Sequence, residues 1–205
     1  LSGEIWYIDA NTPDQPFKVF QPRMKNVLYY PDANDKEFII RTNKDALNFK
    51  VMHAPFGGTG VENWKDLIPH RSDVLVEDVS LFKGRMVISE VKNGLEQIRV
   101  IEPLKNVDKY IDFGEPVYSA NLTGNPEYNT SVVRYNYTSL TTPASVYDYN
   151  METGVKTLMK QQEVLGGFDK ADYKTERLFA TAADGTKIPI SIVYKNGFER
   201  NGKQP

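Results

Sequence analysis

The chain has 205 residues, 40% of them hydrophobic and 25% charged, with a formal net charge of −2 at pH 7 and no cysteine. This is enough for one large or two small domains with a real core, and it offers no basic field for nucleic acid or an anionic membrane surface. The missing cysteine removes disulfides, thiolate zinc sites and a cysteine nucleophile together, while leaving the cytoplasm and the periplasm both open as compartments.

The N-terminus, Leu1-Ser-Gly-Glu-Ile-Trp6, has no charged start followed by an apolar run, so it is not a signal peptide. It lacks an initiator Met and enters a strand at once, as expected of a chain cut at its front. No stretch approaches the roughly 20 apolar residues that span a bilayer. Helical periodicity is scarce throughout. Short apolar runs of about four to eight residues between turn residues predict an all-β protein.

In chain order, Glu4–Ile8 and Phe17–Phe20 are followed by Val27–Tyr30, Glu37–Arg41, Asn48–His53 and Trp64–Ile68. Next come Val74–Leu81, Arg85–Val91, Leu95–Ile101 and Tyr110–Phe113, then Val117–Ala120, Ser131–Tyr137, Ser145–Tyr149 and Lys156–Met159. Asn93-Gly94 suits the two positive φ values of a type I′ hairpin turn. Asp32–Asp35, Thr42–Asp45 and Met151–Gly154 carry side chains or glycines suited to tight reversal.

Grouped in fours, the strands give units of roughly 40–50 residues, the period of propeller blades. A β-sandwich also consists of short strands and turns, but fourfold grouping favours a propeller. The count is about three and a half blades, fewer than most closed propellers contain. The expected organisation is a partial β-propeller over residues 1–162. Residues 1–21 would end one blade, and 22–70, 71–113 and 114–162 would form full blades. A linker at 163–172 leads into a hairpin of different character, Tyr173 to Tyr194, and the chain stops eleven residues later at Pro205. Opening a second unit without completing it predicts a fragment of a larger protein.

The run Asn125-Pro-Glu-Tyr-Asn-Thr-Ser-Val-Val-Arg-Tyr-Asn-Tyr-Thr-Ser-Leu-Thr-Thr-Pro143, continued by Val146-Tyr-Asp-Tyr-Asn-Met-Glu-Thr-Gly154 and Lys160-Gln-Gln-Glu-Val164, resembles the last propeller blade of the oligopeptidase B branch of the prolyl oligopeptidase family. Tyr173-Lys-Thr-Glu-Arg177 and Asp184-Gly-Thr-Lys-Ile-Pro-Ile-Ser-Ile-Val-Tyr194 are similar to the segment leading into that family's α/β-hydrolase domain. Glu4–Asp9, Phe38–Asn43, Asn63–His70 and Asn93–Arg99 look like earlier blade segments in the same order. The resemblance implies a serine peptidase in which a seven-bladed propeller caps a Ser-His-Asp site. It admits short peptides as substrates, with cleavage after Lys or Arg.

The chemistry itself is not expected within these residues. A hydrolase of this kind needs Gly-x-Ser-x-Gly, which places serine on a sharp strand-to-helix turn beside backbone donors. Ser139 and Ser191 lack those glycines, and the family's catalytic residues would all fall beyond Pro205. No catalytic, cofactor-binding or metal-binding residue is therefore assigned, no cofactor is implied, and the piece alone should be inactive.

His53, at the end of a predicted strand, and His70, in a Pro-His-Arg crossover, lack a nucleophile to activate and are expected to be exposed histidines without a catalytic role. Phe56-Gly-Gly-Thr-Gly60 lacks the Gly-Lys-Ser/Thr ending of a phosphate loop and is expected to be a flexible hairpin loop. The acceptor patterns at Asn121, Asn129 and Asn136 are chance matches in an Asn- and Thr-rich stretch. Tyr135 and Tyr137, like Tyr147 and Tyr149, share a face of their strand, which suits packing between blades better than a ligand platform. Lys174, Glu176 and Arg177 fit either interdomain contacts or a solvated face. The expected partners are short peptides and the missing hydrolase domain. Blade edges left open by a partial propeller favour self-association. A non-catalytic propeller scaffold and a natural short paralogue are the competing readings.

Overall fold

The computed structural model describes residues 2–199 and 201–202. Leu1 and Lys203–Pro205, on which the readings of a cut front and an abrupt stop rest, lie outside them, as does Arg200. The described chain is built of β-strands with three single-turn 3-10 segments. Two short strands, β1 (Ile5–Tyr7) and β2 (Lys18–Gln21), pair antiparallel. Three four-stranded sheets follow, each made of consecutive strands hydrogen-bonded in sequence order. The first holds β3 (Tyr29–Ala33), β4 (Glu37–Thr42), β5 (Lys50–Pro55) and β6 (Lys65–Ile68). The second holds β7 (Val74–Phe82), β8 (Arg85–Lys92), β9 (Leu95–Glu102) and β10 (Val107–Tyr110). The third holds β11 (Tyr118–Leu122), β12 (Val132–Ser139), β13 (Ser145–Asn150) and β14 (Lys156–Gln161). A separate hairpin, β15 (Tyr173–Thr181) and β16 (Lys187–Lys195), pairs over its whole length. This is the all-β, four-stranded meander architecture that the strand grouping predicts.

One predicted strand is displaced. The alternation Tyr110–Phe113 suggested a strand there, but β10 occupies Val107–Tyr110. Pro103–Lys105 form a 3-10 turn that closes on Asn106 in the left-handed region (φ 54°, ψ 39°), so the chain reverses early and is extended again by Val107. Ile111 still bonds the carbonyl of Ile98 (2.9 Å), and Phe113 turns instead into an aromatic cluster described below.

The chain divides into two compact units, residues 1–91 with 101–108, and residues 92–100 with 109–205. In the first unit the central strands are buried on both faces. Ile40, Met52 and Ala54 join Phe20, Tyr29 and Trp64 in one core, whereas Ile39 and Val51 join Ile68, Val76, Met86 and Ile88 in another. Successive strand residues point to opposite faces, so a run such as Phe38-Ile39-Ile40 is expected where both faces are covered. The first core is mainly aromatic. Phe20 meets Phe38 edge-on at 4.9 Å, and Tyr29 meets Trp64 at 5.5 Å, the geometry ring quadrupoles prefer.

In the second unit β12 alternates strictly. Val133, Tyr135 and Tyr137 are buried while Arg134, Asn136 and Thr138 face outward. Arg134 uses its outward position to hold Asp148 of β13 through Nε and Nη2, at 2.6 and 2.8 Å, and these two residues are direct cross-strand partners.

Candidate functional site

The two histidines, the glycine loop and the two serines weighed in the sequence do not form a common site. His53 lies in a strand, as the pattern Asn48–His53 predicts, but it is less exposed than expected. It lies in β5, half-buried, with Nδ1 2.6 Å from Glu37 Oε2 on the neighbouring strand. The pair satisfies two polar groups on a sheet face. His70 is exposed and its Nε2 accepts from the backbone N–H of Asn48 at 3.3 Å. Asp66, near it in sequence, is committed to Lys50 at 2.8 Å.

The glycine loop is also different from its expected flexible form. Gly58 N–H bonds the Pro55 carbonyl (3.0 Å), Val61 N–H bonds Gln21 Oε1 (2.7 Å) and the Trp64 indole bonds the Thr59 carbonyl (2.8 Å). These donors point inward, so the loop is a braced corner with no cradle for phosphate. Ser191 is in β16, opposite Arg177, and Ser139 ends β12, with its hydroxyl accepting from Thr141 N–H at 3.0 Å. Neither sits on a strand-to-helix turn. Among the described residues no group of three or more His, Cys, Asp or Glu is placed to hold a metal ion.

A concentration of polar and aromatic groups lies instead in the second unit. Phe113 stacks with Tyr137 at 5.5 Å, contacts Tyr118 at 4.7 Å and meets Tyr135 edge-on. Tyr135 in turn stacks on Tyr147 at 5.6 Å. The cluster covers one sheet face, so tyrosine packing is seen within a sheet. Burial, with the neighbouring Tyr147 and Tyr149, pushes the Tyr135 hydroxyl pKa up. Burial and the adjacent Glu115 carboxylate do the same to Tyr137. Both stay protonated at neutral pH.

Tyr137 and Tyr147 border a cavity of about 490 Å³, closed on one side by the β12–β13 turn and on another by residues 161–170. Glu115 is its central charge. Burial raises the Glu115 pKa, but hydrogen bonds from Lys170, Ser139 and Thr142 outweigh this and leave it below its ordinary value. Thr142 Oγ1 lies 2.7 Å from Glu115 Oε1, Lys170 Nζ pairs with the same oxygen, and Lys170 also reaches Thr142 Oγ1 at 2.9 Å. Lys170 begins the third 3-10 turn, Lys170–Asp172, which is capped by Asp169 accepting from Ala171 N–H at 2.8 Å. Asn196 beyond β16 ties down the other end, donating from Nδ2 to Ala171 O and from its N–H to Asp172 O (2.8 Å).

The hairpin is fastened a second time, because Arg177 donates to the carbonyl of Asn93. Glu176 accepts from Tyr194 within the hairpin. The outer residues Leu178, Phe179, Ile188 and Ile190 remain 39–51% exposed. Glu115 and Lys170 escaped the sequence reading because they lie 55 residues apart, and nothing local marks a lone Glu before Pro116 as buried.

A family model described as the prolyl oligopeptidase N-terminal beta-propeller domain matches residues 2–162. The chain belongs to the prolyl oligopeptidase family of serine peptidases. It is 45% identical over its full length to dipeptidyl aminopeptidase BI of Pseudoxanthomonas mexicana, of which it covers 28%, and 28% identical to protease 2 of Moraxella lacunata, of which it covers 29%. Among solved structures, oligopeptidase B from Leishmania major superposes on all of the chain with a TM-score of 0.85 at 30% identity. Oligopeptidase B from Trypanosoma brucei covers 97% of the chain with a TM-score of 0.84 at 30% identity. The chain spans less than a third of the length of each of these relatives. Among the described residues no helix is long and apolar enough to cross a membrane.

Proposed function

We propose that residues 1–162 are part of a peptidase propeller that gates access of short peptides to a Ser-His-Asp site held in a separate hydrolase domain of the full-length protein. Residues 163–172 are the linker, and residues 173–205 supply the first strands of that domain. The catalytic residues lie outside this chain, so the 205 residues alone are inactive. The full-length protein cleaves after Lys or Arg and works in the cytoplasm or periplasm. Free edges such as β14, exposed along its whole length, favour self-association of the isolated piece.

The observation that carries this reading is the reach of the similarity past residue 162. The propeller model stops there, yet the likeness to oligopeptidase B of Leishmania major continues through the hairpin to the end of the chain. A two-stranded hairpin with apolar residues left open needs further structure to be stable, which suits the opening strands of a second domain. Steric gating needs no reactive group from the propeller: a ring of sheets over the site passes a flexible peptide and stops a folded protein.

The test is hydrolysis of N-blocked fluorogenic peptides ending in Arg or Lys by the full-length protein, with and without a serine-directed phosphonofluoridate. Turnover that the inhibitor abolishes is expected. No turnover of any such peptide, or a downstream sequence without Gly-x-Ser-x-Gly, overturns the proposal. The 45% identity to a dipeptidyl aminopeptidase favours a second reading, release of dipeptides from free N-termini. That reading predicts turnover of unblocked dipeptidyl substrates and none of the blocked ones.

A further inference from the structure

We propose that Arg41 of β4 is a binding site for a carboxylate, taken by the guanidinium edge that its aromatic neighbours leave open. This goes beyond the peptidase reading, since it assigns the propeller itself a ligand. The first observation is a cation without an acceptor. Arg41 is partly buried, its Nε–H is shielded from solvent, and its guanidinium has no hydrogen-bond acceptor among the described residues. Other arginines of these sheets are matched within the chain: Arg71 by Glu90, Arg85 by Glu102, Arg134 by Asp148, and Arg177 by the Asn93 carbonyl. A guanidinium does not shed its proton in a protein, and a donor left unpaired by burial is costly, more so when charged. An occupant bringing a carboxylate removes that cost.

The second observation is the way the guanidinium is held. Tyr30 is the cross-strand partner of Arg41, and Arg41 Cζ lies 4.2 Å from the Tyr30 ring centroid and 4.7 Å from that of Phe49. The two rings stand 6.5 Å apart at 37° and form a notch. Ring faces attract the charge but use none of the in-plane N–H donors, the fork that matches a carboxylate bidentately. Phe49 is held there at φ +61°, which costs a residue with a side chain about 1–2 kcal/mol. Its N–H bonds the Ala46 carbonyl at 3.0 Å and its ring packs on the Ile39 core, so the notch is set before a ligand arrives. With Nε–H enclosed, the two Nη groups are the end that a ligand meets. Lys44 and Lys50, which flank Arg41 in the chain, are offset by Asp45 and Asp66. One uncompensated charge remains, and it is matched by a carboxylate better than by a phosphate dianion. The carboxylate comes from a peptide C-terminus or from an Asp or Glu of the full-length protein outside this chain.

The probes are acetyl-trialanine with a free C-terminal carboxylate and the same peptide as its amide. Neither has a basic residue or a free N-terminus, so neither is a substrate under the two peptidase readings, and binding is read apart from turnover. Each is titrated into the full-length protein by calorimetry. With a peptide as the source, the acid binds saturably and at least about tenfold more tightly than the amide, as a charge-assisted bond requires. Arg41→Met, which keeps the stem, should abolish that difference. Arg41→Lys, which keeps the charge and loses the fork, should weaken the acid about tenfold. If Arg41→Met does not fold, Arg41→Lys and Tyr30→Leu, which removes one wall and should weaken the acid about threefold, decide the matter. A crystal structure of the full-length protein, grown without carboxylate buffers, reads the second source. An Asp or Glu of the protein seated on the Arg41 Nη atoms identifies it, and the acid then does not bind. An open Arg41 in that structure, with acid and amide binding within twofold of each other, overturns the proposal. Acid binding that the folded variants leave within twofold of the parent overturns it as well.

Discussion

Ile39 and Ile40, adjacent in β4, are buried in two different cores, Ile39 against Val76, Met86 and Ile88 and Ile40 against Phe20, Tyr29 and Trp64. The sheet between them is therefore held on both faces. Truncating either residue to Ala should cost about 2–5 kcal/mol through lost burial and a residual cavity. The two losses should be nearly additive, because the side chains share no packing partner. Urea unfolding of the two single variants and the double variant measures this. A double variant no less stable than the worse single one would show that the two cores are not independent.

Glu90 on β8 is fully buried and pairs with the guanidinium of Arg71. Removing one partner of such a pair leaves a charge in a poor dielectric, which costs more than the pair contributes when intact. Arg71→Met should destabilise by about 3 kcal/mol, and adding Glu90→Gln should recover part of it. Thermal melts of the two variants provide the comparison, and an Arg71→Met melt unchanged from the parent would refute it.

These examples mark how far the sequence was legible. Strand alternation is a local property, so the buried side of β12 follows from Val133, Tyr135 and Tyr137 standing two apart. The turn at Asn93-Gly94 is equally local, and both residues have the positive φ expected (52° and 71°). Glu90 and Glu115 are different. Each carries a charge that composition assigns to the surface, yet Glu90 is fully buried and Glu115 largely so, and each is met by a cation distant in the chain. His53 stands in its predicted strand, but its pairing is not local either, since its partner Glu37 is on the adjacent strand. Phe113 has the sequence pattern of a strand residue, because Tyr-Ile-Asp-Phe alternates, yet it lies beyond β10. The early reversal at Asn106 frees it for the tyrosine cluster, and an αL asparagine leaves only a faint sequence signal.

The Lys170–Glu115 pair makes stability depend on pH. The folded-state pKa of Glu115 lies below the ordinary 4.5, so its contribution is fully present above that value and is lost as the pH falls through the folded-state value. Lys170→Ala leaves the burial of Glu115 opposed only by the weaker donors Ser139 and Thr142. The variant should lose about 1–2 kcal/mol at neutral pH, with the gap to the parent narrowing as the solution is acidified below the ordinary carboxylate range. Denaturant midpoints of both proteins at pH 7 and pH 3 check the sign. A gap that stays constant or widens toward low pH would exclude the ion pair as its source.

Arg177 reaches the carbonyl of Asn93 at the tip of the β8–β9 turn, which places the hairpin β15–β16 directly against Gly94. A Cβ added at Gly94 would lie 3.1 Å from the Arg177 guanidinium and 3.5 Å from Pro189, and the φ of +71° is itself strained for any residue with a side chain. Gly94→Ala should therefore cost about 1–2 kcal/mol from the backbone alone, plus whatever displacement of Arg177 adds. Asn93→Gly, which keeps positive φ accessible and leaves the accepting carbonyl in place, should change stability by only a few tenths of a kcal/mol. The contact itself can be isolated with Arg177→Met, which keeps the stem and removes the donor. In an Arg177→Met background the cost of Gly94→Ala should fall to its backbone share. If the penalty is the same in both backgrounds, the hairpin does not rest on this turn.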